Sequence, residues 1–160
     1  MQGGQRGYTL LETLLVCALL ALLAGGVTPL WMERRTAERL WSETLRLQRY
    51  LLALRDQAFH GNAARPLWLR RTQGVDCLVV RAGDDCRAAA AFVPAPPLRL
   101  TAQLSPLAGF YGLRNTAQPG HVRLSDARQA TRVIWSAQGR VRVCAEQGLP
   151  ALATCNASAE

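Results

Sequence analysis

Residues 13–32 carry no charged side chain. About 20 apolar residues are what an α-helix needs to cross a bilayer core, so this run predicts a membrane-spanning helix. Glu12 stands at its head. A carboxylate near the membrane interior costs about 2.5–3.5 kcal/mol at a helix centre and usually serves a function. Upstream lies a short polar leader, Met1 to Gly7, whose one side-chain charge is Arg6.

The helix is expected to start near Tyr8 and to continue well past the apolar run. Gly25, Gly26 and Pro29 are expected to loosen it, Pro29 because it lacks the donor the helix ladder needs. Charge resumes at Glu33-Arg34-Arg35. Leu40, Thr44, Leu47, Leu51, Leu54 and Ala58 then recur at steps of four and three, which is one face of an amphipathic helix. Trp41, Leu45 and Leu52 broaden that face; Arg39, Glu43, Arg46 and Arg49 take much of the other side, with Glu43 and Arg46 three apart. The stripe is predicted to pack on a sheet. The alternative is a coiled coil, for which the heptad pattern is too short. His60-Gly61-Asn62 ends the helix, with Gly61 as the predicted cap.

Beyond Pro66 the pattern shortens to that of strands, predicted at 67–71, 76–81, 90–93, 98–104, 121–125, 131–136 and 140–145. Pro94-Ala95-Pro96-Pro97 is a rigid, extended connection. Ser136-Ala137-Gln138-Gly139 is a hairpin turn with Gly139 suited to a left-handed backbone. In the second arm Val141 and Val143 face one way, Arg140 and Arg142 the other. The expected class is α+β, one long helix and an antiparallel β domain. In residue terms this gives a leader at 1–7, a membrane half of the helix at 8–32, an amphipathic half at 33–60 and the β domain at 61–160.

Five cysteines divide as one plus four. Cys17 reads as a small apolar filler within the apolar run. Cys77, Cys86, Cys144 and Cys155 form an even set, which in an exported domain argues for disulfides. The local pairs Cys77–Cys86 and Cys144–Cys155 are favoured, because each closes a short loop with turn residues: Gly83-Asp84-Asp85 in one, Gly148 and Pro150 in the other. A zinc site on all four thiolates is the alternative, though the usual closely spaced ligand pairs are missing.

The segment Arg6-Gly7-Tyr8-Thr9-Leu10-Leu11-Glu12, followed by the apolar run, resembles the class III signal of type IV prepilins and pseudopilins. In that family a membrane-embedded prepilin peptidase cuts after the glycine and methylates the new N-terminus. The resemblance implies a cut between Gly7 and Tyr8, N-methylation at Tyr8 and a role for Glu12, the fifth residue of the cut chain, in neutralising a neighbouring subunit's terminal amine. A buried charge is tolerable when paired. Tyr8 departs from the commoner phenylalanine. Three other readings compete: a secretory signal cut near Ala24-Gly25-Gly26, a lipoprotein signal ending at Cys17, and an uncleaved anchor. The first places Glu12 within the hydrophobic region, and the second puts the poorly suited Val16 before the lipidated cysteine.

Two further blocks carry a narrower resemblance. Phe110-Tyr111-Gly112-Leu113-Arg114-Asn115-Thr116-Ala117, with Gly120-His121-Val122-Arg123-Leu124, is similar to the signature block of the minor pilins called prepilin peptidase-dependent protein A. Trp135-Ser136-Ala137-Gln138-Gly139-Arg140-Val141-Arg142-Val143-Cys144 is similar to their terminal hairpin and to that of H-type minor pseudopilins. The resemblance implies a pilin fold and a low-abundance subunit that joins other minor pilins in a tip complex and primes assembly. It implies as partners the prepilin peptidase, other minor pilins, the major pilin, the inner-membrane assembly platform and inner-membrane lipid. The implied location is the inner membrane, single-pass with a periplasmic domain, and then the filament tip. A minor pseudopilin of type II secretion is the alternative.

Nothing in the residue pattern asks for a cofactor, a metal or catalysis. His60 reads as a helix-end residue and His121 as a strand starter, and neither belongs to a nucleophile motif. Asp84-Asp85 beside Gly83 reads as a turn. Arg114, Asn115 and Thr116 are candidates for a subunit contact, or for a loop whose polar side chains bond their own backbone. The chain holds 19 basic residues, every one of them arginine, against 11 acidic, a formal charge of +8. Arginine grips phosphate well, so DNA is a second candidate partner through Arg99, Arg123, Arg132, Arg140 and Arg142. The arginines are scattered from Arg34 to Arg142 rather than massed, which favours genome composition as the cause. What separates the two readings is whether those five share one exposed face.

Overall fold

The computed structural model describes residues 9–112, 116–147, 149 and 152–155, without the side chains of 23–33. Helix α1 spans Leu10–Gly61, 52 residues. Seven strands follow: β1 (Arg65–Pro66), β2 (Trp68–Thr72), β3 (Val75–Val79), β4 (Arg99–Tyr111), β5 (Thr116–Ser125), β6 (Ala130–Trp135) and β7 (Val141–Gln147). The chain is α+β. α1 is not interrupted at Pro29; a lone proline removes one ladder donor while its neighbours keep theirs. The chain divides between Thr36 and Ala37 into two compact units.

In the second unit, the stripe predicted on α1 is the buried face: Leu40, Thr44, Leu47, Leu51, Leu54 and Ala58 are all buried. They share one core with Phe92, Leu100, Phe110, Val122, Leu124, Val133 and Trp135. The face therefore packs within its own chain and does not form a coiled coil. The Thr44 hydroxyl donates to the Leu40 carbonyl at 2.7 Å, and it lies 2.6 Å from the Thr131 hydroxyl on the sheet. This is how a buried polar side chain is kept satisfied.

The five-stranded sheet has the order β1-β4-β5-β6-β7, and β2-β3 form a separate pair; all pairings are antiparallel. The predicted hairpin is β6-β7, with Gly139 at φ 72° and its amide on the Ser136 carbonyl at 2.9 Å. Val141 and Val143 pack against the core while Arg142 is exposed.

Three expectations are corrected. The helix cap is a two-residue device. Gly61 is the last helical residue, and Asn62 takes the left-handed conformation at φ 43°. The Asn62 amide reaches Phe59 O at 3.3 Å and the Ala63 amide reaches Ala58 O at 3.1 Å, the paired bonds of a Schellman motif.

Residues 90–93 are not a strand. Phe92 makes only a bridge to Leu78, through bonds of 2.9 and 3.0 Å. α1 holds the rest of the segment. The Tyr50 hydroxyl donates to Ala90 O at 2.7 Å, Arg46 donates to Val93 O, and the Ala95 amide reaches Glu43 at 3.3 Å. Arg46 also lies 4.3 Å from the centre of the Phe92 ring and pairs with Glu43 at 2.6 Å.

The strand expected at 98–104 runs on to Tyr111. It passes through a register shift between Leu104 and Gly109, where Leu107 has φ 61°. The shift absorbs Pro106, which has no donor for a regular ladder.

Candidate assembly segment and arginine face

Thr9 precedes α1, and its carbonyl accepts from the amides of Glu12 at 2.9 Å and Thr13 at 3.3 Å. Glu12 is thus the only acid in the first helical turn, where the helix dipole favours a negative charge. Thr9-Leu10-Leu11-Glu12 also has the spacing of a capping box, a helix-start signal. Every side chain from Leu10 to Leu22 is exposed, including the free Cys17. Gly7 and Tyr8 lie outside the described residues. Among the described residues no helix is long and apolar enough to cross a membrane; the predicted span reaches residues 23–32, whose side chains lie outside them.

Residues 3–28 match the prokaryotic N-terminal methylation motif. This match supports a type IV pilin-like or pseudopilin protein, a substrate of prepilin peptidase that assembles with other pilins. It covers the N-terminal segment alone. No curated protein and no solved structure matches the chain.

Cys77 is bonded to Cys86 and Cys144 to Cys155, with Cα separations of 5.6 and 5.0 Å. The two bridges account for all four thiols proposed as zinc ligands, which removes that alternative. The second bridge ties the segment at 153–155 alongside β7, through Ala145 N to Ala153 O at 2.8 Å and Cys155 N to Ala145 O at 2.9 Å. Asp85 closes a turn, accepting from the Arg87 amide at 2.9 Å. Among the described residues no group of three or more His, Cys, Asp or Glu could hold a metal.

The block from Phe110 to Leu124 is the β4-β5 turn and its flanks. Phe110 is buried 6.0 Å from the Trp135 ring. Gly112 lies so close to the helix end that a Cβ there would collide with the backbone of Ala58 and Asn62. At Gly120 a Cβ would meet the Trp135 ring at 2.6 Å. The tip of the turn, with Arg114 and Asn115, lies outside the described residues; Thr116 is exposed at the start of β5. The glycines of the block are therefore required by packing.

The outward face of the sheet carries the arginines. Thr101, Arg123, Arg132 and Cys144 are cross-strand partners, and so are Gln103, His121, Ile134 and Arg142. Alternation puts Arg99 on the same face, and Arg140 is exposed just before β7. Two of these arginines are committed: Arg123 and Arg132 each reach Glu146 at 2.5 Å through Nε. Burial pushes the Glu146 carboxyl up, but the hydrogen bonds and charges of Arg123 and Arg132 outweigh that and hold it below its ordinary value. His121 is held down, first by burial and then by the Arg132 cation, with Glu146 opposing. Glu146 lies one residue past the strand predicted at 140–145, whereas β7 runs on to Gln147; the register shifts at Ala130/Thr131, so that Ala130 faces Gln147 while Thr131 faces Ala145. Glu146 is the residue skipped.

Proposed function

We propose that this chain is a minor pilin subunit of a type IV pilus tip or initiation complex, which primes filament assembly. The observation that carries the proposal is the methylation motif at residues 3–28, continuing into a helix whose apolar side chains from Leu10 to Leu22 are exposed on all sides. A surface of that kind needs lipid or neighbouring helices to cover it. In this reading prepilin peptidase cuts between Gly7 and Tyr8 and methylates Tyr8. Residues 8–32 hold the protein in the inner membrane as a single span, with residues 33–160 in the periplasm. Glu12 then docks against the terminal amine of a neighbouring subunit as the chain enters the tip with other minor pilins and the major pilin, on the assembly platform. Arg114, Asn115 and Thr116 at the β4-β5 turn are a proposed subunit contact. The test of processing is N-terminal sequencing of the membrane-bound protein. A start at Tyr-Thr-Leu-Leu-Glu with a methylated first residue is expected; a start after Gly26 overturns the reading. Co-purification with other minor pilins tests the tip role, and co-purification with a secretion pseudopilus would instead favour the pseudopilin alternative.

A DNA-uptake role gains one observation, the shared outward face of Arg99, Arg123, Arg132 and Arg142. It loses weight because Arg123 and Arg132 are tied to Glu146. DNA affinity that falls steeply with salt would favour this second reading.

A further inference from the structure

A cleft of about 350 Å³ opens between the end of α1 and the loop after β3. Leu54 and Gln57 of α1 form one wall, and Val80 with the alanines at 88–90 forms another. Arg65, Arg81 and Asp84 supply its charges. The Arg65 Nε is buried and has no hydrogen-bond partner. Leaving a buried donor unpaired is costly, and more so for a charged group, so such a group calls for a partner.

The walls are fixed before anything binds. The Cys77–Cys86 bridge closes the loop that carries Arg81 and Asp84. Arg70 donates to Ala82 O on the same loop, and the Asp84 amide bonds Arg81 O at 3.1 Å. Beyond it, Tyr50 anchors Ala90 to α1 at 2.7 Å. Arg65 is held in β1, paired with Phe110 of β4. A rigid site does not spend binding energy on ordering its own loops.

We propose that this cleft binds a carboxylate on a short aliphatic stem. Two guanidinium groups against one carboxylate leave the site one positive charge in excess, which matches a single carboxylate better than a doubly charged phosphate. The planar guanidinium fork fits carboxylate geometry, and Leu54, Val80 and the alanines suit a few methylene groups. Such a ligand is either a free small acid or a Glu or Asp side chain of another protein. The site does not depend on how the N-terminal segment is used.

The test is isothermal titration of the full-length protein in detergent micelles with four probes. These are butyrate, its neutral isostere butyramide, the blocked tripeptide acetyl-Ala-Glu-Ala-amide, and the same tripeptide with Gln for Glu. Binding of butyrate or the Glu peptide, with the amides silent, is expected. Tighter binding of the peptide assigns the source to a protein side chain; binding of butyrate alone assigns it to a free acid. Arg65→Gln and Arg81→Gln are each expected to weaken binding about tenfold. Asp84→Asn, which removes the competing carboxylate, is expected to strengthen it about two- to fivefold. Arg81→Gln alters an exposed side chain and Asp84→Asn swaps a half-buried one for its isostere, so they report on the site even where Arg65→Gln disturbs the fold. Equal heats from acids and amides, or acid binding unchanged in both arginine variants, overturns the proposal.

Discussion

The two ends of α1 are both rich in leucine but use it in opposite ways. Leu14 is 62% exposed and Leu47 fully buried. From Leu10 to Leu22 apolar side chains point in every direction; from Leu40 to Ala58 the buried ones recur at three- and four-residue steps. What separates the two is periodicity, not composition. A helix with one apolar stripe finds its cover inside its own domain, whereas one that is apolar all round must find it elsewhere.

Substitutions can break that contrast directly. The largest effect is expected for Glu12→Gln. Glutamine keeps the helix-start pattern, so insertion and cleavage should continue. If Glu12 pairs with a neighbour's terminal amine as proposed, its loss removes one partner of a buried charge pair, at about 3–5 kcal/mol, and docking into the tip should fail. Fewer filaments, with processed subunit at wild-type levels in the membrane, is the expected count. Normal filament numbers and a normal minor-pilin complex would mean that Glu12 is no assembly contact and serves only the helix start.

Next come leucines from the two ends. Leu47→Ala should destabilise the β domain by about 2–5 kcal/mol, through lost transfer energy and the cavity left behind. Leu14→Ala should leave the domain's thermal midpoint unchanged. A shift of similar size for both would show that the two ends of the helix unfold as one unit.

The bridges follow. Cys77→Ser/Cys86→Ser and Cys144→Ser/Cys155→Ser should each cost about 2–4 kcal/mol, and nearly the same amount, because closed-loop entropy varies only logarithmically with length. The two loops are alike, with sequence separations of 9 and 11. Non-reducing peptide maps of the wild type should contain only these two cross-links.

Much of the fold follows from local pattern, and its exceptions have physical causes. The buried stripe on α1 and the β6-β7 hairpin were legible because period and turn chemistry agree with the packing. The far half of β4 was not. Ser105-Pro106 looks like a strand end, yet the Ser105 hydroxyl donates to Pro119 O and the Tyr111 hydroxyl to Leu107 O, each at 2.6 Å, across the irregular stretch. Residues 90–93 look like a strand, but side chains of Arg46 and Tyr50 take up their carbonyls. At the candidate site, the methylation signal was readable because it is linear. The Glu146 cluster was not, since Glu146 lies past the predicted strand end and only strand pairing brings Arg123 and Arg132 beside it.

The smallest expected effect lies on the outward sheet face and is a pH dependence. His121 pairs across strands with Gln103 and Ile134, and Arg132 and Glu146 are the charges that act on it. Its folded pKa lies below the ordinary 6.5, so on acidification the unfolded chain takes up this proton first. Its contribution is complete above pH 6.5 and is lost as the pH falls through the folded value. Glu146 behaves in the same direction at lower pH: its contribution is complete above 4.5 and is lost as the pH falls through its depressed folded value. Stability should therefore fall in two steps on acidification and never rise. Glu146→Gln separates them. It removes the lower step and costs about 1 kcal/mol at neutral pH, because the two arginines it pairs are each about a third exposed and well screened. It also removes the one charge that raises the His121 pKa, so the upper step should grow and reach to lower pH. Thermal midpoints followed by tryptophan fluorescence from pH 7.5 to pH 3 would resolve both. An unchanged lower step in Glu146→Gln would show that the acid sensitivity belongs to other carboxylates, and that the Arg123–Glu146–Arg132 cluster adds nothing to the fold.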